Sequence, residues 1–104
     1  MSENKKTITS LFVEAREWFD KTGGNSYFSA RVSVNGELVG FLPFQYGYGS
    51  MYESAVREYL ELSGYDIKPV PFAPLWQLRN EGVHVYTVKY SANKRDVQRF
   101  GVVA

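Results

Sequence analysis

Two alternating runs that meet at Asn35-Gly36 constrain this chain more than any other feature. Residues 26–34 place Phe28, Ala30, Val32 and Val34 on one side and Tyr27, Ser29, Arg31 and Ser33 on the other, the two-residue period of a strand with one covered face. Asparagine followed by glycine accepts the positive backbone angles of a tight primed turn, so the chain is expected to reverse into a second strand over 37–44. A two-residue turn sets the register, with Val34 opposite Glu37, Val32 opposite Val39 and Ala30 opposite Phe41. Phe28, Ala30, Val32, Val39 and Phe41 then share the covered face, and Tyr27, Leu38, Leu42 and Phe44 the opposite one.

A hairpin of this kind needs an apolar layer over it. In residues 7–20, Ile8, Leu11, Phe12, Ala15, Trp18 and Phe19 recur at three- and four-residue intervals, which predicts a helix begun by Thr7 or Ser10 and stopped by Gly23-Gly24. A second helix is predicted to start near Met51, because Ser50 and Glu53 match the reciprocal capping box. Its stripe is Tyr52, Ala55, Val56, Tyr59 and Leu60, and Ser63-Gly64 ends it. Pro69, Pro71 and Pro74 imply an extended connection or a short edge strand. Residues 75–79 read as a strand, 80–82 as a turn and 83–90 as a firm strand with His84, Tyr86, Val88 and Tyr90 on one face. From residue 91 two readings stand open: a short helix capped by Asn93 and carrying Val97 and Phe100, or a mobile segment over 91–104.

Together these elements predict a single compact α+β domain over residues 1–104. It is an antiparallel β-sheet with a β-hairpin and two packed α-helices, in the order α-β-β-α-(β)-β-β, with both helices on one face. Helices on opposite faces are the alternative, because the Tyr27, Leu38, Leu42 and Phe44 surface needs a cover.

Composition narrows the chemistry. The 104 residues include no cysteine, which excludes disulfides, thiolate catalysis, cysteine-bound zinc and iron–sulfur clusters. A single histidine, His84, excludes a histidine cluster, and no Ser, His and Asp spacing announces a nucleophile. The expectation is therefore a protein without catalytic residues, metal or cofactor. The longest uncharged stretch, Leu38 to Tyr52, is interrupted by Pro43, Gln45, Gly47 and Gly49 and is too short for a helical span. The leading MSENKKTITS has no apolar signal segment, so no membrane partner and a cytoplasmic location are expected. The net charge of +1 conceals a segregation. Glu53, Glu58, Glu61 and Asp66 outweigh Arg57 in 51–66, whereas Lys89, Lys94, Arg95 and Arg99 outweigh Asp96 in 84–104.

Two groups of residues are candidates for binding. In the bend between the second predicted strand and the second helix, Gly47 and Gly49 permit a sharp turn, Ser50 opens the helix, and Tyr46, Tyr48 and Tyr52 supply flat hydrogen-bonding rings. Free amides at such a helix start favour an anion, and tyrosine rings stack on bases. The loop lacks a phosphate-loop lysine, and Glu53 opposes an anion; an ordinary loop whose tyrosines complete the core is the competing reading. The second group is His84, Tyr86, Lys89, Tyr90, Lys94, Arg95 and Arg99, where bases alternate with aromatics as in surfaces that hold a phosphate backbone.

The segment LPFQYGYGSMYESAVREYL, preceded by YFSARVSVNGELVG, resembles small bacteriophage-encoded accessory proteins of poorly characterised function. The resemblance covers roughly residues 7–100 and centres on FQYGYG. It implies a protein that acts in the bacterial host cytoplasm by binding and inhibiting a host or defence component. The leading expectation is accordingly a non-enzymatic binding protein with a host protein as partner. A nucleotide-binding or nucleotide-sequestering protein and a small nucleic-acid-binding module are the alternatives, and a homodimer is compatible with each.

Overall fold

The computed structural model describes residues 6–67 and 75–102. Four strands, β1 (Ser10–Asp20), β2 (Asn25–Val34), β3 (Glu37–Tyr46) and β4 (His84–Ser91), form one sheet in the order β3-β2-β1-β4. Helix α1 (Met51–Leu62) follows β3, a 3-10 helix (Leu75–Glu81) precedes β4, and helix α2 (Lys94–Phe100) closes the described chain. The three prolines of the predicted extended connection, Pro69, Pro71 and Pro74, lie outside the described residues. No helix among the described residues is long and apolar enough to cross a membrane.

The α+β class holds, but the arrangement corrects several finer expectations. The predicted first helix is the strand β1, so the order of elements becomes β-β-β-α-(3-10)-β-α. The sheet is mixed, because β1 pairs antiparallel with β2 but parallel with β4. The residues 75–79 read as a strand belong to the 3-10 helix, which buries Leu75 and Leu78 at the helical spacing of three.

The error over β1 has a definite cause. Leu11, Val13 and Ala15 are buried in the main core, while Phe12, Glu14, Arg16 and Trp18 are half-buried on the other face. Apolar residues on both faces of a central strand mimic a helical stripe when read in one dimension, and the sheet environment overrides the helix-favouring Glu, Ala and Arg of the segment.

The hairpin turn forms as expected, with positive φ at Asn35 (53°) and Gly36 (85°) and Val34 opposite Glu37. Two register shifts then enter, between Val32 and Ser33 and between Phe28 and Ala30. Each leaves an extra residue on β3, so Val32 faces Gly40 and Ala30 faces Leu42 rather than Val39 and Phe41. Leu42 thereby joins the core, Val39 packs at its margin, and Phe41 turns toward Arg31 on the opposite face.

The two helices cover opposite faces of the sheet, which is the alternative arrangement, and do not lie on one face together as expected. Helix α1 sends Val56 and Leu60 into the core with Leu11, Val13, Phe28, Ala30 and Val32. Helix α2 lies across the other face, where the Ser29 hydroxyl donates to the Val97 carbonyl and Arg31 Nε donates to the Phe100 carbonyl at 3.1 Å. The Asn93 side chain caps α2 by accepting from Asp96 N at 2.8 Å, and Val97 and Phe100 are buried. Of the two readings left open for the tail, the capped helix is the one that forms over 94–100.

Asn35 does more than turn the hairpin. Its Oδ1 accepts from Thr9 N (2.8 Å), Thr9 Oγ1 (2.9 Å) and Ser10 N (3.1 Å), and its Nδ2 donates to the Thr7 carbonyl at 3.0 Å. The turn therefore clips the segment that leads into β1. Asn35→Gly keeps the backbone angles and removes these bonds. A loss of roughly 1–3 kcal/mol in urea denaturation is expected, since each exposed bond contributes only about 1 kcal/mol net.

Candidate binding site

At the end of the sheet remote from the Asn35 turn, aromatic side chains from three strands stack into a shelf. Trp18 of β1 stacks on Tyr27 of β2 at 5.7 Å between ring centroids, and Tyr27 stacks on Phe44 of β3 at 5.1 Å with the planes 10° apart. Tyr46 meets Tyr27 edge-on at 6.0 Å, and Tyr48 meets Tyr46 edge-on at 6.2 Å. Lys94, at the start of α2, sits over the Trp18 ring at 5.5 Å. Tyr27 pairs with both Trp18 and Tyr46 in the strand registers, so the ladder follows directly from the sheet. The outermost rings remain in solvent, Tyr46 at 52% and Tyr48 at 60% exposure.

The bend after β3 places its residues unequally. Gly47 is buried against the Phe28 ring, where a Cβ would be 2.5 Å from Cε1. Gly49 has a φ of 61°, and the exposed Ser50 opens α1. The predicted capping box does not form. The Ser50 side chain makes no cap hydrogen bond, and Glu53 Oε1 instead accepts from Leu75 N at 3.0 Å, tying α1 to the 3-10 helix. The amides of Met51 and Glu53 donate to the carbonyls of Tyr48 (3.1 Å) and Ser50 (2.9 Å). A helix start closed in this way, beside the Glu53 carboxylate, is a poor anion cradle.

Tyr52, read both as part of the apolar stripe of the second helix and as a candidate binding ring, takes the first of these places. It is 7% exposed and belongs to the core, because the first turn of α1 faces the sheet. Burial pushes its phenol above the ordinary value of 10.0; a hydrogen bond with Thr87 opposes the rise, and neighbouring Glu53 adds to it.

The second predicted group is divided by the sheet. His84, Tyr86 and Tyr90 share one face of β4, whereas Lys89 points to the other, where its ammonium donates to the Gly49 carbonyl at 2.8 Å and meets Glu17 at 3.4 Å. Lys89 therefore braces the bend and is paired with the Glu17 carboxylate. Lys94 joins the aromatic shelf, while Arg95 and Arg99 are exposed on α2. His84 and Tyr86 flank an open groove of about 740 Å³ that also touches Phe12, Arg79 and Val83. Among the described residues, no group of three or more His, Cys, Asp or Glu is placed to hold a metal ion.

Trp18, Tyr27 and Phe44 are shelf residues outside the two candidate groups; the shared uncovered hairpin face of Tyr27 and Phe44 is the signal the sequence offers, and the helix-like spacing of β1 masks Trp18. No protein-family model, curated protein or solved structure matches the chain.

The burial of Tyr52 has a measurable consequence. Above pH 10.0 the unfolded chain gives up this phenolic proton while the folded chain keeps it, so the folded state binds more protons and loses stability as pH rises. Tyr52→Phe is expected to flatten the fall in urea-denaturation stability between about pH 9 and 11 relative to the parent. Near neutral pH it should cost only about 1 kcal/mol for the lost hydroxyl bond.

Proposed function

We propose that this chain is a non-enzymatic binding protein that engages a protein partner through the Trp18, Tyr27, Phe44, Tyr46 and Tyr48 shelf. In keeping with its resemblance to phage accessory proteins, the partner is a host or defence component that it inhibits. The observation that carries the reading is the pair of exposed tyrosines braced from behind by stacked rings. Rings already held in place lose little conformational freedom on binding and bring large amphipathic area, the property that makes tyrosine and tryptophan dominant anchors at protein interfaces.

Protein recognition is favoured over nucleotide capture by the charges near the bend. Lys89 is committed to Glu17 and the Gly49 carbonyl, and the α1 start offers a carboxylate where a phosphate would sit. Lys94 brings a cation over the Trp18 ring of the shelf.

A photo-crosslinking amino acid at position 46 or 48, introduced in bacterial cells, is expected to give a discrete protein adduct that the same probe at exposed Leu62 does not. The double variant Tyr46→Ala, Tyr48→Ala should keep the parent circular dichroism and melt within a few degrees of it, yet lose at least about tenfold in affinity for that protein. Unchanged affinity in the folded variant overturns the site. Stabilisation by several degrees with millimolar nucleotide, abolished in the same variant, overturns the choice of partner class.

A further inference from the structure

The two edges of the sheet are unlike. On β3 the edge carries Pro43 and both register shifts, each of which spoils it as a template for another strand. On β4 the eight residues His84–Ser91 contain no proline and pair with β1 without a shift.

The hydrogen-bond phase of β4 is fixed. His84 N donates to the Thr9 carbonyl and Ala92 N to the Glu17 carbonyl, so the even-numbered residues of β4 spend their backbone groups on β1. The odd-numbered residues turn theirs outward. Val85 shows this directly, since its carbonyl accepts from the Arg79 guanidinium at 2.8 Å. Among the described residues, no backbone group meets the outward N–H and C=O of Thr87 and Lys89.

We propose that β4 is a dimerisation edge, to which a second copy of the chain adds its own β4 antiparallel about a twofold axis at Val88. In that register, Thr87 of each copy faces Lys89 of the other and the two exchange both backbone bonds, which uses the outward groups. Tyr86 of each copy faces Tyr90 of the other at non-hydrogen-bonded positions, where Cα atoms approach to about 4.5 Å and side chains lie closest. Both rings are exposed, at 66% and 56%. Within each chain Tyr86 stacks on Phe12 at 5.7 Å and Arg16 lies over Tyr90 at 4.9 Å, so pairing continues an existing ladder across the axis.

The charges on β4 do not oppose this pairing. The ammonium of Lys89 is held by Glu17 of its own chain and would face a neutral threonine, so the paired strands bring no like charges together. With the Val85 carbonyl held by Arg79, the paired stretch centres on residues 86–90 of each copy and their four tyrosines, an interface below about 1,200 Å² in total, which predicts weak, reversible association. This inference is independent of the aromatic shelf, which uses other residues.

Sedimentation equilibrium on the full chain is expected to show a monomer–dimer equilibrium with a dissociation constant below about 1 mM. Tyr86→Glu with Tyr90→Glu places carboxylates opposite each other twice and should weaken association at least about tenfold. Tyr86→Glu with Tyr90→Lys places opposite charges face to face and should restore much of the loss, an outcome peculiar to this register. Circular dichroism of both exposed-site variants should match the parent. A chain that stays monomeric to about 1 mM, or a folded double-glutamate variant that associates as well as the parent, overturns the proposal.

Discussion

The arrangement depends on β1 holding the centre of the sheet. It takes ten cross-strand partners from β2 and eight from β4, and its two faces are covered by different helices. A strand in that position cannot be amphipathic in the simple sense. Leu11, Val13 and Ala15 must be apolar for the α1 side, while Phe12, Arg16 and Trp18 must suit the α2 side. The parallel pairing with β4 follows from the long path between β3 and β4, which passes through α1 and the 3-10 helix before the chain returns to the sheet.

The α2 side adds cation–π contacts to the burial of Val97. Phe100 lies between two guanidinium groups, 4.2 Å from Arg16 and 4.0 Å from Arg31, with Tyr90 and Phe41 beyond them. Arginine stems and aromatic rings cover this face while the charges stay near solvent. The close seat of α2 shows at Gly101, where a Cβ would lie 2.7 Å from the Leu42 carbonyl oxygen. Stacked rings lie on either side of this helix, Trp18 with Tyr27 and Phe12 with Tyr86.

What was legible in the sequence was whatever local chemistry determines. The Asn35-Gly36 turn, the α1 stripe, the Asn93 cap and the alternation of β4 each express a short-range rule that the tertiary structure leaves in force. The failures share one physical origin, which is that packing from distant residues outweighed the local preference. The register slips arise because β3 is an edge, free to bulge at Val39 and Pro43. Glu53 abandons its cap for the amide of Leu75, twenty-two residues away. Trp18 escaped the candidate site because its neighbours Tyr27 and Lys94 come from a strand and a helix that only the fold brings together.

The bulges of β3 link the fold to its proposed use. Without the shift between Phe28 and Ala30, Phe44 would not share a face with Tyr27, and the ladder from Trp18 to Tyr48 would be broken at its middle ring. The same shift and Pro43 make that edge unfit for strand addition. The edge that displays Tyr46 is thus closed to backbone pairing, while β4 keeps the outward groups of Thr87 and Lys89 for it. Because the shelf runs from β1 outward to β3, pairing through β4 leaves two copies of it at the far ends of one continuous sheet. Two shelves held by one rigid sheet would bind a repeated or oligomeric target with higher avidity than one, provided that the target's spacing matches the span.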